Sequence, residues 1–141
     1  MGRVYTWYMK KGYRENIEKV TLENTNFRKV LYTAENCQLV AMSLLPGEEI
    51  GFETHADNDQ FFRFEAGVGK VIINETEHLV SAEVVVIIPK GSKHNVINTS
   101  QTEMLKLYTM YTPPHHKDGI VRATKAEAES DSPEFDGVTT E

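Results

Sequence analysis

Apolar and polar residues alternate along most of this chain with a period of two, as expected of strands that bury one face. The alternation first appears over residues 27–33. After Ala34-Glu35-Asn36 it resumes over 37–45, where Cys37, Leu39, Ala41 and Ser43 share one face and Gln38, Val40, Met42 and Leu44 the other. Pro46-Gly47 turns the chain into a short strand over about residues 50–55, which Asn58-Asp59 interrupts. The next strand, 60–65, sets Gln60, Phe62 and Phe64 against Phe61, Arg63 and Glu65. Gly67 and Gly69 mark a turn or bulge before a strand over 70–73, and Asn74-Glu75 reads as a hairpin tip ahead of 77–81. Residues 84–88 form an unbroken β-branched run, the pattern of a strand covered on both faces. Strands over 94–99 and 103–111 complete the set. Short strands with turn signals every eight to twelve residues predict an all-β sandwich or barrel spanning 27–114.

The flanks read differently. Residues 1–26 predict an N-terminal arm or edge strand, in which Val4, Thr6 and Tyr8 alternate with Tyr5, Trp7 and Met9 and which ends in the turn residues Glu23-Asn24-Thr25-Asn26. Pro113-Pro114 stops the sheet. In the segment 115–129, a loop and short helix, Thr124 followed three residues later by Glu127 fits a capping box opening about two helical turns. The polar, acidic stretch 130–141, with Pro133 and Gly137, predicts disorder.

Composition adds bounds. A chain of 141 residues with 40% apolar and 26% charged residues suits a single domain with its own core. No apolar run approaches the ~20 residues of a membrane helix, and no apolar signal region opens the chain. The single cysteine, Cys37, offers no internal disulfide. These features predict a cytoplasmic protein with no membrane partner. The net charge of −6 argues against nucleic acid as a partner, because phosphate backbones demand a basic surface. Much of that acidity lies in the tail (Glu127, Glu129, Asp131, Glu134, Asp136 and Glu141), so a phosphorylated small molecule stays compatible with the body.

The residues able to carry chemistry gather in two stretches. His55 and Asp57 stand two apart, hence on one strand face, and the Asn58-Asp59 turn can swing the Gln60 amide oxygen towards them. His94 follows the tight turn Pro89-Lys90-Gly91. If the stretches meet, His55, Asp57, Gln60 and His94 supply two imidazoles, a carboxylate and a neutral oxygen to one divalent metal ion. That mix suits Zn, Mn, Fe, Ni or Co with positions left open, and it lacks the thiolates of a structural zinc site. His78 reads as a surface residue. His115 and His116 read as exposed loop residues, although a loop after the last strand could fold over a barrel mouth.

These same residues resemble the two motifs of the cupin superfamily, small β-barrels of jelly-roll type. The first motif, a glycine, a histidine pair one residue apart, a glutamate and a later glycine, is matched by Gly47 or Gly51, His55, Asp57, Gln60 and Gly67. Asp57 stands for the second histidine and Gln60 for the glutamate. The second motif is matched by Pro89, Gly91, His94 and Asn98 at the family's spacing, with Glu83 in place of its leading glycine. The resemblance covers residues 27–111 and implies a single-domain cupin-type jelly roll, to which the Thr124–Glu127 capping box adds a short C-terminal helix. The phrases NTNFRKVLYT, EEIGFETH, DQFFRFEAG, KHNVINT and LKLYTMYTPP further resemble bacterial single-domain cupins labelled mannose-6-phosphate isomerase-like.

The implied activity is a metal-dependent isomerisation of a sugar phosphate or similar carbonyl compound, which needs a general base. Glu53 and Glu65 are candidates, although parity sets Glu65 opposite Gln60, and Arg63, a candidate for a phosphate alongside Lys93, also points away. The alternatives are a metal-dependent dioxygenase and a non-catalytic small-molecule binding module. The aromatic first strand and the outer face of Phe61, Arg63 and Glu65 predict a homodimer.

Overall fold

The computed structural model describes residues 9–141, so the alternation that suggested an arm or edge strand over residues 4–8 lies outside the described residues. The strands are β1 (Arg28–Thr33), β2 (Gln38–Leu44), β3 (Glu53–Thr54), β4 (Asp59–Ala66), β5 (Val68–Ile73), β6 (Thr76–Ser81), β7 (Val85–Ile88), β8 (Lys93–Asn98), β9 (Leu105–Thr112) and β10 (Val121–Arg122). Two short helices flank them, α1 (Ile17–Glu23) and α2 (Lys125–Ser130). The strands form two sheets, in the spatial orders β10-β1-β2-β9-β4-β7 and β3-β8-β5-β6. Their pairings are antiparallel. This is an all-β, single-domain jelly-roll barrel. Among the described residues no helix is long and apolar enough to cross a membrane.

The period-two pattern explains what lies inside. In β4, Gln60, Phe62 and Phe64 are buried while Phe61, Arg63 and Glu65 are only partly covered. Phe62 and Phe64 share one core cluster with Val40, Met42, Leu44, Leu105 and Leu107 of the same sheet and Val71, Val80 and Val96 of the other. Each such large side chain stabilises the fold by about 1.5–3 kcal/mol on burial. Between Phe64 and Ala66 the β4–β9 register shifts by a bulge. Gly67 follows it at φ +89, and a Cβ there would strike the Met104 carbonyl oxygen. Only glycine tolerates both conditions.

Three segments depart from the sequence pattern. Residues 17–23 are helical, because Asn16 caps α1 by accepting from the Lys19 amide (3.0 Å). The apolar run ending in β7 is covered on one face only: β7 lies at the edge of its sheet, and Val85 and Ile87 are exposed. Residues 130–141, where disorder was expected, are fastened to the body. Phe135 donates its amide to the His115 carbonyl (3.0 Å), Lys117 to that of Pro133 (3.1 Å), and Thr140 to that of Thr33 (2.9 Å). The Tyr32 hydroxyl donates to Glu141 (2.6 Å). The tail thus satisfies backbone groups along β1 and the 115–117 loop that would otherwise need water. Helix α2 is capped by Thr124, whose hydroxyl accepts from the Glu127 amide (3.2 Å), while Glu127 accepts in return from the Ala123 amide (2.8 Å).

Candidate metal centre

Strand pairing assembles the centre. β3 pairs with β8 in a register that sets Glu53 directly opposite His94, the spacing at which cross-strand side chains touch. His55 lies just past the end of β3, and its ligand atom converges with those of Glu53 and His94. Its carbonyl accepts from the Gly91 amide (2.8 Å), which ties it to the turn that delivers His94. Gly91 takes φ +82 there. The ligand atoms of Glu53, His55 and His94 lie within 4.8 Å of one another. His55 Nε2 is 3.1 Å from Glu53 Oε2, and the His55 and His94 rings are 5.2 Å apart.

Two orphaned acceptors fit the same purpose. His94 Nδ1 sits 2.9 Å from the Ser92 carbonyl. A carbonyl only accepts, so Nδ1 carries the proton and Nε2 keeps a free lone pair. That Nε2 is buried without a partner. Burial lowers the pKa of His94, and the neighbouring His55 adds to the effect, so the ring is held neutral as a ligand requires. Gln60 is buried as well. Its amide nitrogen donates to Thr109 (3.0 Å), and its Oε1 is left without a donor. Gln60 faces Tyr111 across β4–β9, and the Tyr111 ring meets His55 edge-on at 5.7 Å. Buried acceptors without donors are rare, and a cation is what would complete them. Glu53 stays anionic: burial works to raise its pKa, but the hydrogen bond and charge of His55, with the charges of Arg28 and His94, lower it overall.

Of the four residues the sequence pointed to, His55 and His94 come together and Gln60 points into the same interior. Asp57 is exposed and stands outside the convergent group. The parity that would align it with His55 requires a continuing strand, but β3 ends at Thr54 and the chain bends at Ala56-Asp57. Glu53 supplies the carboxylate instead. The signal was present in the sequence: moving the expected histidine pair two residues towards the N-terminus seats Glu53 and His55 in it and leaves Gln60 and Gly67 in place. Glu53, a candidate base in the sequence, stands in this group and is hydrogen-bonded to His55 (3.1 Å). His78 is exposed.

The histidines after the prolines do not project as exposed loop residues. His116 is 4% exposed, and the His115 ring lies 4.4 Å from that of His55. Gln38, fully buried in β2, holds them. Its amide nitrogen donates to the His116 carbonyl (2.7 Å), and its oxygen accepts from the His115 and His116 amides (3.2 and 2.9 Å). Nothing in the spacing of the sequence links residue 38 to residue 116. Burial, with the charges of Arg28, His115 and His55, pushes the pKa of His116 down to about 2. Burial lowers His115 too. Beside His55 opens a cavity of about 320 Å³ lined by Asp57, Asn58, Pro114, His115 and Glu134.

A family model described as Cupin domain matches residues 40–111. The chain belongs to the cupin family. Its relatives include an uncharacterized protein of Acanthamoeba polyphaga mimivirus, 41% identical over 112 residues, covering 77% of this chain and 70% of that one. The uncharacterized protein YrkC of Bacillus subtilis is 42% identical over 127 residues, covering 86% of this cupin and 68% of YrkC. Among solved structures, BH2720 of Bacillus halodurans superposes with a TM-score of 0.84 at 38% identity, covering 86% of this chain and 96% of that one. None of these names states an activity. The cupin barrel and its Glu53–His55–His94 group fit a divalent ion; the donor set does not dictate which one.

Proposed function

We propose that this cupin binds one divalent ion through Glu53, His55 and His94, with the Gln60 amide oxygen as a further donor, and acts there on a small carbonyl compound such as a sugar phosphate. The observation that carries this reading is the convergence of three ionisable donors, one of which, His94 Nε2, is buried without a partner, as is the Gln60 amide oxygen. A divalent ion bound there would polarise a carbonyl and lower the pKa of a coordinated hydroxyl or water. The protein's own groups do the rest. Ser92 fixes the His94 tautomer, Thr109 orients Gln60, and Tyr111, buried against His55 with its pKa raised by that burial, stays a protonated wall of the site. An isomerisation needs a base, and Glu65 does not qualify, being ion-paired to Arg63 (2.7 Å) on the other face of β4. His115, held neutral by burial against His55, is the group left to accept a proton.

A second reading rests on the donor set itself. Two imidazoles and one carboxylate with open positions are also the ligands of Fe(II) oxygenases, which favours a dioxygenase over a passive binding module. The test begins with elemental analysis of protein purified without chelator. Stoichiometric metal is expected in the wild type and its loss in His94→Ala; a wild type that stays metal-free after reconstitution refutes the centre. Oxygen uptake by the Fe(II) form and turnover of aldose or ketose phosphates by the Mn(II) form then separate the two reactions. Neither signal would mark a binding module.

A further inference from the structure

Arg28 occupies a position that its strand reserves for the core. In β1, Arg28 and Val30 face inward and Lys29 outward, and Arg28 is only 6% exposed. Among the described residues it has no salt bridge, and its buried Nε has no hydrogen-bond partner. Its Cζ lies 5.4 Å from the ring centroid of Phe27, the adjacent residue. The carboxylate of Glu53 is engaged by His55 instead. The charge of Arg28 nonetheless reaches the interior, since it contributes to lowering the pKa values of Glu53, His115 and His116.

A buried guanidinium of purely structural purpose is normally tied to carbonyls or a carboxylate, because an uncompensated buried charge is costly. Here the space beside it is a cavity of about 220 Å³, lined also by Ile50, Glu53, Lys125, Ala128 and Glu129. Lys125 and Glu129 pair with each other across a turn of α2 (3.7 Å), and Glu53 is hydrogen-bonded to His55 (3.1 Å), which leaves Arg28 as the charged side chain of the cavity without a direct partner. At about 30 Å³ per water, the space equals roughly seven waters, enough for an oxyanion on a skeleton of a few carbons. The planar fork of arginine matches a carboxylate or phosphoryl group in two parallel hydrogen bonds.

We propose that Arg28 is a specificity-determining residue that binds the carboxylate or phosphoryl group of a small anionic ligand, which enters beneath α2 and extends towards Glu53. Only the ligand's second contact, at the metal centre, rests on the function proposed above; the Arg28 contact stands without a metal.

The test titrates the full chain with inorganic phosphate and with malonate by calorimetry, once after chelator treatment and once with stoichiometric Mn(II). At least one anion is expected to bind the chelated protein, and a tenfold preference for phosphate or for malonate assigns the phosphoryl or the carboxylate source. Arg28→Met keeps the apolar stem and removes the fork, and it should weaken that anion at least tenfold while leaving Mn(II) affinity within about twofold. Arg28→Lys, which keeps the charge, should fall between the two. Because an unpaired charge is removed, the anion-free melting temperature of Arg28→Met should match or exceed that of the wild type. Failure of both anions to bind the wild type, or equal binding to Arg28→Met, overturns the proposal, as does a variant that folds only with a much lowered melting temperature. Anion binding that depends on Arg28 in a protein that takes up no Mn(II) would uphold this subsite and refute the metal centre.

Discussion

Acid should unfold this protein through His116. The group titrates at about 6.5 in an open chain, and burial in the folded protein moves that value down to about 2. A depressed folded pKa means that the unfolded chain takes up the proton first. The stability contributed by the neutral ring is thus complete above about pH 6.5 and is lost progressively as pH falls towards 2. Each pH unit within that window costs about 1.4 kcal/mol, so at about pH 4.5, two units below the unfolded value, His116 alone removes about 3 kcal/mol. For a domain of this size that is a large fraction of the total stability. His94 and His115 are shifted the same way and steepen the slope. The assay is urea unfolding of chelator-treated protein between about pH 7 and pH 4.5, so that loss of a metal does not contribute, for the wild type and for His116→Gln. Glutamine loses the 3.3 Å contact with the Tyr111 hydroxyl and lowers stability at every pH. The prediction concerns slope: the variant should lose about 3 kcal/mol less than the wild type over the interval. Parallel curves would show that His116 takes up its proton in the folded protein as readily as in the unfolded chain, which refutes the reasoning.

The remaining predictions address the centre, the packing and the assembly. Glu53→Gln should weaken metal binding by more than about a hundredfold, since outer-shell changes alone cost 10- to 100-fold, whereas Asp57→Ala should leave it within about twofold; competition titration of Mn(II) measures both, and the reverse order would restore Asp57 as the ligand. Gly69→Ala should destabilise the barrel by about 1–3 kcal/mol through overpacking, because the added Cβ meets the Ile97 carbonyl oxygen and crowds Leu105 Cδ2 (2.9 Å); an unchanged urea midpoint would show that β5 and β8 can part. The sequence also points to a homodimer. The exposed apolar side chains of Leu79, Val85 and Ile87, on the edge strands β6 and β7, would suit a second copy, so light scattering at micromolar concentration should return twice the chain mass, and Ile87→Glu should reduce it.

Local periodicity made the barrel legible, while features that depend on distant pairing were not. Alternation in 60–65 correctly sends Gln60, Phe62 and Phe64 inward, because the paired central strand holds its parity up to the bulge after Phe64. The same rule fails at Asp57, because β3 is two residues long and parity has no meaning past its last ladder position. A β-branched run says that a segment is extended, not that both its faces are covered. For β7 the missing fact is its place at the sheet edge, which only the whole topology decides.

Polar residues in the interior were the hardest to read, and they are the ones that shape the site. Gln38, Arg28 and His116 each sit on a strand or loop where polarity alone reads as exposure. Their burial follows from partners about 80 residues away for Gln38 and His116, and from a cavity rather than a partner for Arg28. An interior that leaves His94 Nε2, Gln60 Oε1 and Arg28 Nε without partners, yet satisfies Gln38 with four hydrogen bonds, has polar groups of two kinds. Gln38 holds a loop in place. The others do not: Glu53 groups with His55 and His94 and also lines the cavity beside Arg28, so unsatisfied acceptors on one side and an unsatisfied donor on the other would suit two occupants, a cation at Glu53–His55–His94 and an anion at Arg28. A small ligand whose oxyanion meets Arg28 while its carbonyl faces the cation would satisfy both at once.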